Sequence, residues 1–151
     1  MIIFFLGPDT SGKDCLMHEL AKLYDYQYYM SPRSPICNIV YDTIYNRINT
    51  DRLTQQLLLI NVFLENGAFF VYIKVKPEIL VQRAKARNEK HVVDLDEFKR
   101  HIKVYKEVLI RCKIRFPKFE HRFVEINNSG DLKKAAKNLK RKINELMVQY
   151  D

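Results

Sequence analysis

Gly7-Pro8-Asp9-Thr10-Ser11-Gly12-Lys13 is the stretch of this 151-residue chain whose residue types and spacing most directly suggest chemistry. It follows the apolar run IIFFL and precedes Leu16, Leu20 and Leu23, which share one face of a helix. A buried strand, then G-x-x-x-x-G-K, then an amphipathic helix is the context in which this pattern cradles phosphate. Gly7 and Gly12 permit backbone angles that other residues resist. Backbone N–H groups of the loop, including those at Thr10 and Ser11, then converge on an anion, and the positive end of the helix dipole adds to the attraction. Lys13 reaches the β- and γ-phosphates of a nucleotide such as ATP as a point charge. The plainer alternative is a glycine-rich turn carrying a surface lysine.

Asp14 breaks the pattern, because a Ser or Thr hydroxyl at that position normally ligates Mg²⁺. A carboxylate is also a hard oxygen ligand, but it brings negative charge close to the phosphates. Two readings stay open. Asp14 holds the metal directly or through water, or it is a solvent-facing aspartate favoured by the helix dipole in the first turn.

The loop needs a scaffold, and the rest of the chain supplies alternating strands and helices. Strands are expected at IIFFLG, at residues 26–30, at residues 68–75 (AFFVYIKV) and at residues 121–126. Helices are expected from residue 11 to about residue 24, through Ile36, Ile39, Val40, Ile44 and Ile48, and through Leu53, Leu57, Ile60 and Leu64 with Gly67 as terminator. Pro77 opens a further helix reaching about residue 87, and the D-x-x-E pair Asp94 and Glu97 starts a long one. Ser129 is the expected cap of the closing helix. This alternation predicts one α/β domain over residues 1–151, a three-layer α/β/α sandwich whose parallel sheet has about four strands, the first of them central.

Apolar residues make up 47% of the chain without low-complexity tracts, as in a folded globular protein. No apolar run approaches the roughly 20 residues of a membrane span, and no signal peptide is expected. Cys15, Cys37 and Cys112 form no CxxC pair, so reduced thiols in a cytoplasmic setting are the simplest expectation. Residues 1–73 hold 5 Lys/Arg against 7 Asp/Glu, whereas residues 74–151 hold 21 against 11, so the net charge of +8 comes from the second half. That asymmetry favours phosphate-bearing partners.

Three further stretches follow the loop in order: PRSPICNIVY from Pro32 to Tyr41, VKPEILVQRAKARNE from Val75 to Glu89, and FVEINNSGDLKKAAKNLKRKI near the end. Together with GPDTSGKD they resemble the thymidylate kinase family of nucleoside monophosphate kinases, over nearly the whole chain and with compressed spacing. The resemblance implies a P-loop kinase-type fold that uses ATP and Mg²⁺. It implies that Asp9 binds the acceptor sugar's hydroxyl, although an Asx-type turn would explain the same residue. Arg33 would grip the acceptor phosphate with its planar fork. Tyr41, eight residues on, would flank the base or simply pack in the core, and Cys37 takes the place of the family's serine. Arg83, Lys85 and Arg87 would form the positive cluster of a lid at about residues 83–93, neutralising transferred charge and excluding water. A solvated basic helix end is the alternative for these three. With Lys13, Arg83 and Arg87 are the expected catalytic groups.

The chain departs from the family at Pro32, where an aspartate helps organise the metal, and at Asp14, although some phage-type deoxynucleotide kinases also carry GKD. Few residues separate the first helix from Arg33, so the sheet should be narrower and the acceptor wall altered. The expected activity is ATP-dependent phosphorylation of a deoxynucleoside monophosphate, dTMP or a related or modified pyrimidine nucleotide. The alternatives are a kinase with a nucleic-acid acceptor and a nucleotide-binding protein without catalysis. The expected partner is a small nucleotide rather than a membrane, and the oligomeric state stays open, a homodimer among the options.

Overall fold

The computed structural model describes residues 1–88 and 94–150. Four parallel strands, β1 (Ile2–Leu6), β2 (Tyr29–Ser31), β3 (Phe69–Lys74) and β4 (Phe123–Asn127), form one sheet in the order β2-β1-β3-β4. Parallel neighbours require long crossovers, which helices provide. Those helices are α1 (Lys13–Leu23), α2 (Pro35–Ile44), α3 (Thr50–Glu65), α4 (Pro77–Ala86), α5 (Leu95–Arg115) and α6 (Leu132–Tyr150).

Alternation along the strands divides the core in two. Phe4, Leu6, Phe70 and Tyr72 face α2, α3 and most of α5, while Ile3, Phe5, Phe69, Val71 and Ile73 face α1, α4 and α6. With both faces covered, the inner strands are apolar throughout, and β1 is one of the two inner strands as expected. All three cysteines are free. Among the described residues no helix is long and apolar enough to cross a membrane.

Several element boundaries differ from expectation, mostly for one reason. α3 closes as anticipated at Gly67, whose φ of 73° lets Ala68 N–H reach Phe63 O at 3.0 Å. The same closure occurs without glycine after α1, where Asp25 (φ 50°) lets Tyr26 N–H bond Ala21 O at 2.9 Å. It recurs after α2, where Asn46 (φ 52°) lets Arg47 N–H bond Asp42 O at 2.8 Å. Consequently β2 begins at Tyr29 instead of residue 26, and Ile48 falls outside α2, 44% exposed. α1 begins at Lys13 because residues 7–12 are committed to the loop. A 3₁₀ turn at Glu120–Arg122 delays β4 to Phe123. Asp94 caps α5 by accepting from Glu97 N–H at 2.9 Å, as expected. Ser129 does not cap α6, because Asp131 accepts from Lys134 N–H at 2.9 Å and takes that role.

Candidate active site

All four strands run the same way, so their carboxyl ends open on one edge of the sheet, where α/β folds bind ligands. β1 leads there into residues 7–12, β2 into Pro32 and Arg33, and β4 into Asn128.

The loop's shape follows from its glycines and from four side chains that brace it, Thr10, Lys13, Arg83 and Asn128. A Cβ on Gly7 would lie 3.1 Å from Ser11 Oγ and 3.2 Å from Ile73 O. Gly12 has φ +86°, and its Cβ would lie 2.5 Å from Asn128 Nδ2. Thr10 adopts φ 61°, held by its hydroxyl donating to Leu80 O at 2.9 Å. Its side chain is thereby turned into the protein, leaving its main chain as its part of the loop. Asn128 Nδ2 donates to Ser11 O at 2.9 Å, while Asn128 N–H donates to Lys74 O at 3.0 Å. Arg83 donates to Thr10 O (3.4 Å), Ser11 O (3.2 Å) and Asn128 O (2.7 Å). Lys13 Nζ donates to Gly7 O (2.5 Å) and Pro8 O (3.2 Å).

The carbonyls of Gly7, Pro8, Thr10 and Ser11 are thus engaged. The first helical bond runs from Leu16 N–H to Gly12 O, so the N–H groups of Lys13, Asp14 and Cys15 precede the ladder. They border a cavity of about 240 Å³ lined by residues 9–15 and Arg87. Burial pulls the Lys13 ammonium below its ordinary range, Cys37, Asp9 and Asp14 act the other way, and Arg33 adds to the lowering. A partly buried cation whose hydrogen bonds go to neutral carbonyls suits an incoming phosphate, whose charge it would complement.

Asp9 and Asp14 both border this cavity. Among the described residues no group of three or more His, Cys, Asp or Glu side chains could cage a metal by itself. Mg²⁺ characteristically takes one or two carboxylates together with substrate phosphates. The donor set therefore fits Mg²⁺ held jointly with a polyphosphate.

Toward α2 the structure brings Asp9 and Tyr41 together. Tyr41 Oη donates to Asp9 Oδ1 at 3.3 Å, so this carboxylate turns toward α2 rather than closing an Asx turn. Burial raises the Tyr41 hydroxyl far above the ordinary tyrosine range, with Asp9 adding to the effect, so it remains a donor. Ser34 caps α2 by accepting from Cys37 N–H at 3.2 Å. Ser31 Oγ accepts from Arg33 N–H (3.2 Å) and donates to Arg33 O (2.8 Å). These bonds pin the Arg33 backbone while its side chain stays exposed, close enough to Lys13 to act on it electrostatically.

The expected lid cations separate. Arg87 caps α4 and borders the cavity. Lys85 is exposed. Arg83 is not poised above the loop as a lid cation, because its guanidinium is committed to three carbonyls as a brace. Residues 89–93 of the expected lid lie outside the described residues. Arg83→Ala should therefore lower the melting temperature and weaken binding of a non-hydrolysable ATP analogue together, since charged hydrogen bonds of this kind contribute about 1.5–3 kcal/mol. Arg83→Lys should not restore either, because a point charge cannot span three carbonyls. Unchanged stability with a collapse confined to kcat would return Arg83 to a catalytic role.

Sequence reading missed Asn128, which braces the loop through Ser11 O and belongs to no local motif. Asn128 could be suspected only from Gly12, whose missing side chain makes room for it.

A scan against protein-family models gives no match, and a search of curated proteins gives none. Among solved structures, deoxyadenosine kinase from M. mycoides with bound dCTP aligns with 96% of this chain and 100% of its own, at TM-score 0.63 and 14% identity. A gluconokinase from Sinorhizobium meliloti 1021 aligns with 99% of this chain and 97% of its own, at TM-score 0.56 and 15% identity. At these identities the likeness is one of fold, and this chain shares the α/β fold of these two kinases.

Proposed function

We propose that this protein transfers the γ-phosphoryl group of ATP to a deoxynucleoside monophosphate, with dTMP and related pyrimidine nucleotides the first acceptors to test. The observation that carries this reading is the adjacency of two basic side chains at neighbouring strand ends. The braced loop with Lys13 follows β1, and Arg33 follows β2. The shared fold with a deoxyadenosine kinase found with dCTP supports a nucleotide-sized ligand.

In this reading the amides at the start of α1 and Lys13 hold the donor phosphates, Arg33 holds the acceptor phosphate, and Arg87 offsets charge on the transferred oxygens. Asp9 and Tyr41 position the rest of the acceptor. An acceptor phosphate oxygen bonds to the γ-phosphorus as the bond from that phosphorus to the β–γ bridging oxygen breaks, leaving ADP. The attacking oxygen is already anionic, so no side-chain base is needed. Mg²⁺, which Asp14 would hold together with the phosphates, would supply charge neutralisation along the polyphosphate.

The test is a screen of ATP and Mg²⁺ with each common deoxynucleoside monophosphate, each deoxynucleoside and a single-stranded oligonucleotide. ADP formation with a monophosphate supports the reading. Turnover with deoxynucleosides alone would move the acceptor one phosphate down, and turnover only with the oligonucleotide would favour a polymer acceptor, as the basic second half of the chain suggests. ATP binding without product from any acceptor would leave a nucleotide-binding protein. Asp14→Asn should raise the Mg²⁺ concentration for half-maximal activity on the order of tenfold. An unchanged Mg²⁺ requirement would mark Asp14 as a first-turn residue serving the helix dipole alone.

A further inference from the structure

On the face of the sheet covered by α2, α3 and α5, aliphatic side chains point out to solvent. α3 and α5 each pack on α2, and a hollow of about 320 Å³ opens where the three helices meet. Ile39 and Thr43 of α2, Leu53 and Leu57 of α3, and Cys112 and Ile114 of α5 line it. A second hollow of about 510 Å³ adjoins it, since Leu57 and Arg115 line both. Large apolar side chains stand on these rims: Ile114 is 81% exposed, Leu58 62% and Ile48 44%. A solvated helix face is ordinarily polar, and a contiguous apolar patch rimmed by charge marks a contact surface.

The charges around the patch say what covers it. Asp51, Leu58 and Glu65 recur every seven residues on one side of α3, and Glu107, Arg111 and Ile114 share one side of α5. Lys118 pairs with Glu65 at 2.6 Å. Asp51, Glu107 and Arg111 have no ion-pair partner among the described residues. The acids Asp51, Glu65 and Glu107 thus balance the bases Arg111, Arg115 and Lys118, in a chain whose net charge is +8. α6, by contrast, carries six Lys/Arg against one Glu. Copies of a basic chain repel one another through most of their surface, so they meet most easily through a face of zero local charge. An anionic membrane would be drawn to net positive charge, which this face lacks.

Shape and size agree. Protruding side chains and hollows lie on the same patch, as a two-fold contact requires, because each copy must offer the same surface. With α3 of each copy laid against α5 of the other, acids on α3 meet bases on α5 twice over. α3 has 16 residues and is about 24 Å long, and two helices side by side are about 20 Å wide. Each copy then contributes on the order of 500 Å² in projection, and a specific interface needs about 1,000 Å² in total.

We propose that the α3–α5 face docks a second copy of this chain across a two-fold axis, with Leu58 and Ile114 of each copy seated in the hollows of the other. Neither hollow shares a residue with the phosphate cavity. The contact is therefore independent of the reaction proposed above.

Analytical ultracentrifugation of the full chain over a range of concentrations should show a species of twice the 18.1 kDa chain mass and nothing larger, since a two-fold contact closes on itself. Leu58→Glu and Ile114→Glu should each raise the dissociation constant about 10- to 100-fold, because each buries an unpaired charge in the contact. Both positions are exposed in the single chain, so circular dichroism of the variants should match the wild type. Val148→Glu is the control. Val148 is 88% exposed on α6, which covers the other face of the sheet, and its substitution should leave the dimer intact. Ile114→Glu should bind an ATP analogue as the wild type does, so loss of the dimer and failure of the kinase reading give different signals.

A single 18.1 kDa species at every concentration would overturn the proposal. So would a dimer that Leu58→Glu and Ile114→Glu leave intact, a dimer that Val148→Glu disrupts equally, or masses that climb without limit. Flotation of a monomeric wild type with phosphatidylcholine vesicles, lost in Ile114→Glu, would give the face to lipid instead.

Discussion

Lys13→Ala is expected to lower kcat/KM for phosphoryl transfer by about 100- to 1,000-fold, the usual effect of removing one preorganised electrostatic group. The fold should survive, because Lys13 contributes two bonds to loop carbonyls, whereas Arg83 and Asn128 brace the same loop independently. Lys13→Arg should not rescue activity, since a planar fork cannot replace a compact ammonium held 2.5 Å from Gly7 O. Burial lowers the Lys13 pKa, so its ammonium is lost sooner than that of a free lysine as pH rises. ATP must meet the protonated form. kcat/KM for ATP should therefore fall on the alkaline side earlier than for an ordinary lysine, while kcat, which reports the complex, falls later because bound phosphate restores the proton. Steady-state kinetics over pH and calorimetric titration of an ATP analogue measure both effects. Retention of more than a tenth of the activity by Lys13→Ala would remove the loop from the reaction.

Gly12→Ala is expected to destabilise the protein by roughly 2–5 kcal/mol, combining left-handed backbone strain of about 1–2 kcal/mol with overpacking of about 1–3 kcal/mol. The new methyl would meet Asn128 Nδ2 at 2.5 Å. Asn128 cannot step aside freely, because its amide donates to Ser11 O, its carbonyl accepts from Arg83 and its N–H donates to Lys74 O. Asn128→Ala in the Gly12→Ala background should recover the overpacking part and leave the strain. The double mutant should then be less destabilised than the sum of the two single changes, the coupling expected of residues in contact. Thermal unfolding measures this cycle directly. Strict additivity would mean that Asn128 yields at no cost, and that Gly12 is required for its backbone angle alone.

The first half of the loop's logic is local, and local logic is readable from residues in order. IIFFL and AFFVYIKV announce inner strands because strands covered on both faces must be apolar throughout. Asp94 announces α5 because a cap acts over three residues. The glycines at 7 and 12 announce the loop because its backbone angles exclude most side chains. Asp25 and Asn46 close helices in conformations usually given to glycine, which hid the start of β2 and the end of α2. Asp131 and Ser129 compete for one cap, and composition alone does not rank them.

Other features arise from contacts far apart in the chain. Arg83 reaches Ser11 across 72 positions and Asn128 reaches it across 117, so neither brace leaves a trace in local spacing. His101 meets Tyr41 only because α2 and α5 pack on the same face of the sheet. The amino-acid order by itself determined the alternation of strands and helices, the glycine-bounded loop and the helix it opens, since short-range hydrogen bonds and periodic burial act between near neighbours. Only the tertiary structure decided that Arg83 braces the loop, that Asp9 turns to Tyr41, and that an imidazole with no hydrogen-bond partner among the described residues lies beside Tyr41. Those outcomes depend on how the crossovers stack the layers, a geometry set by the whole core at once.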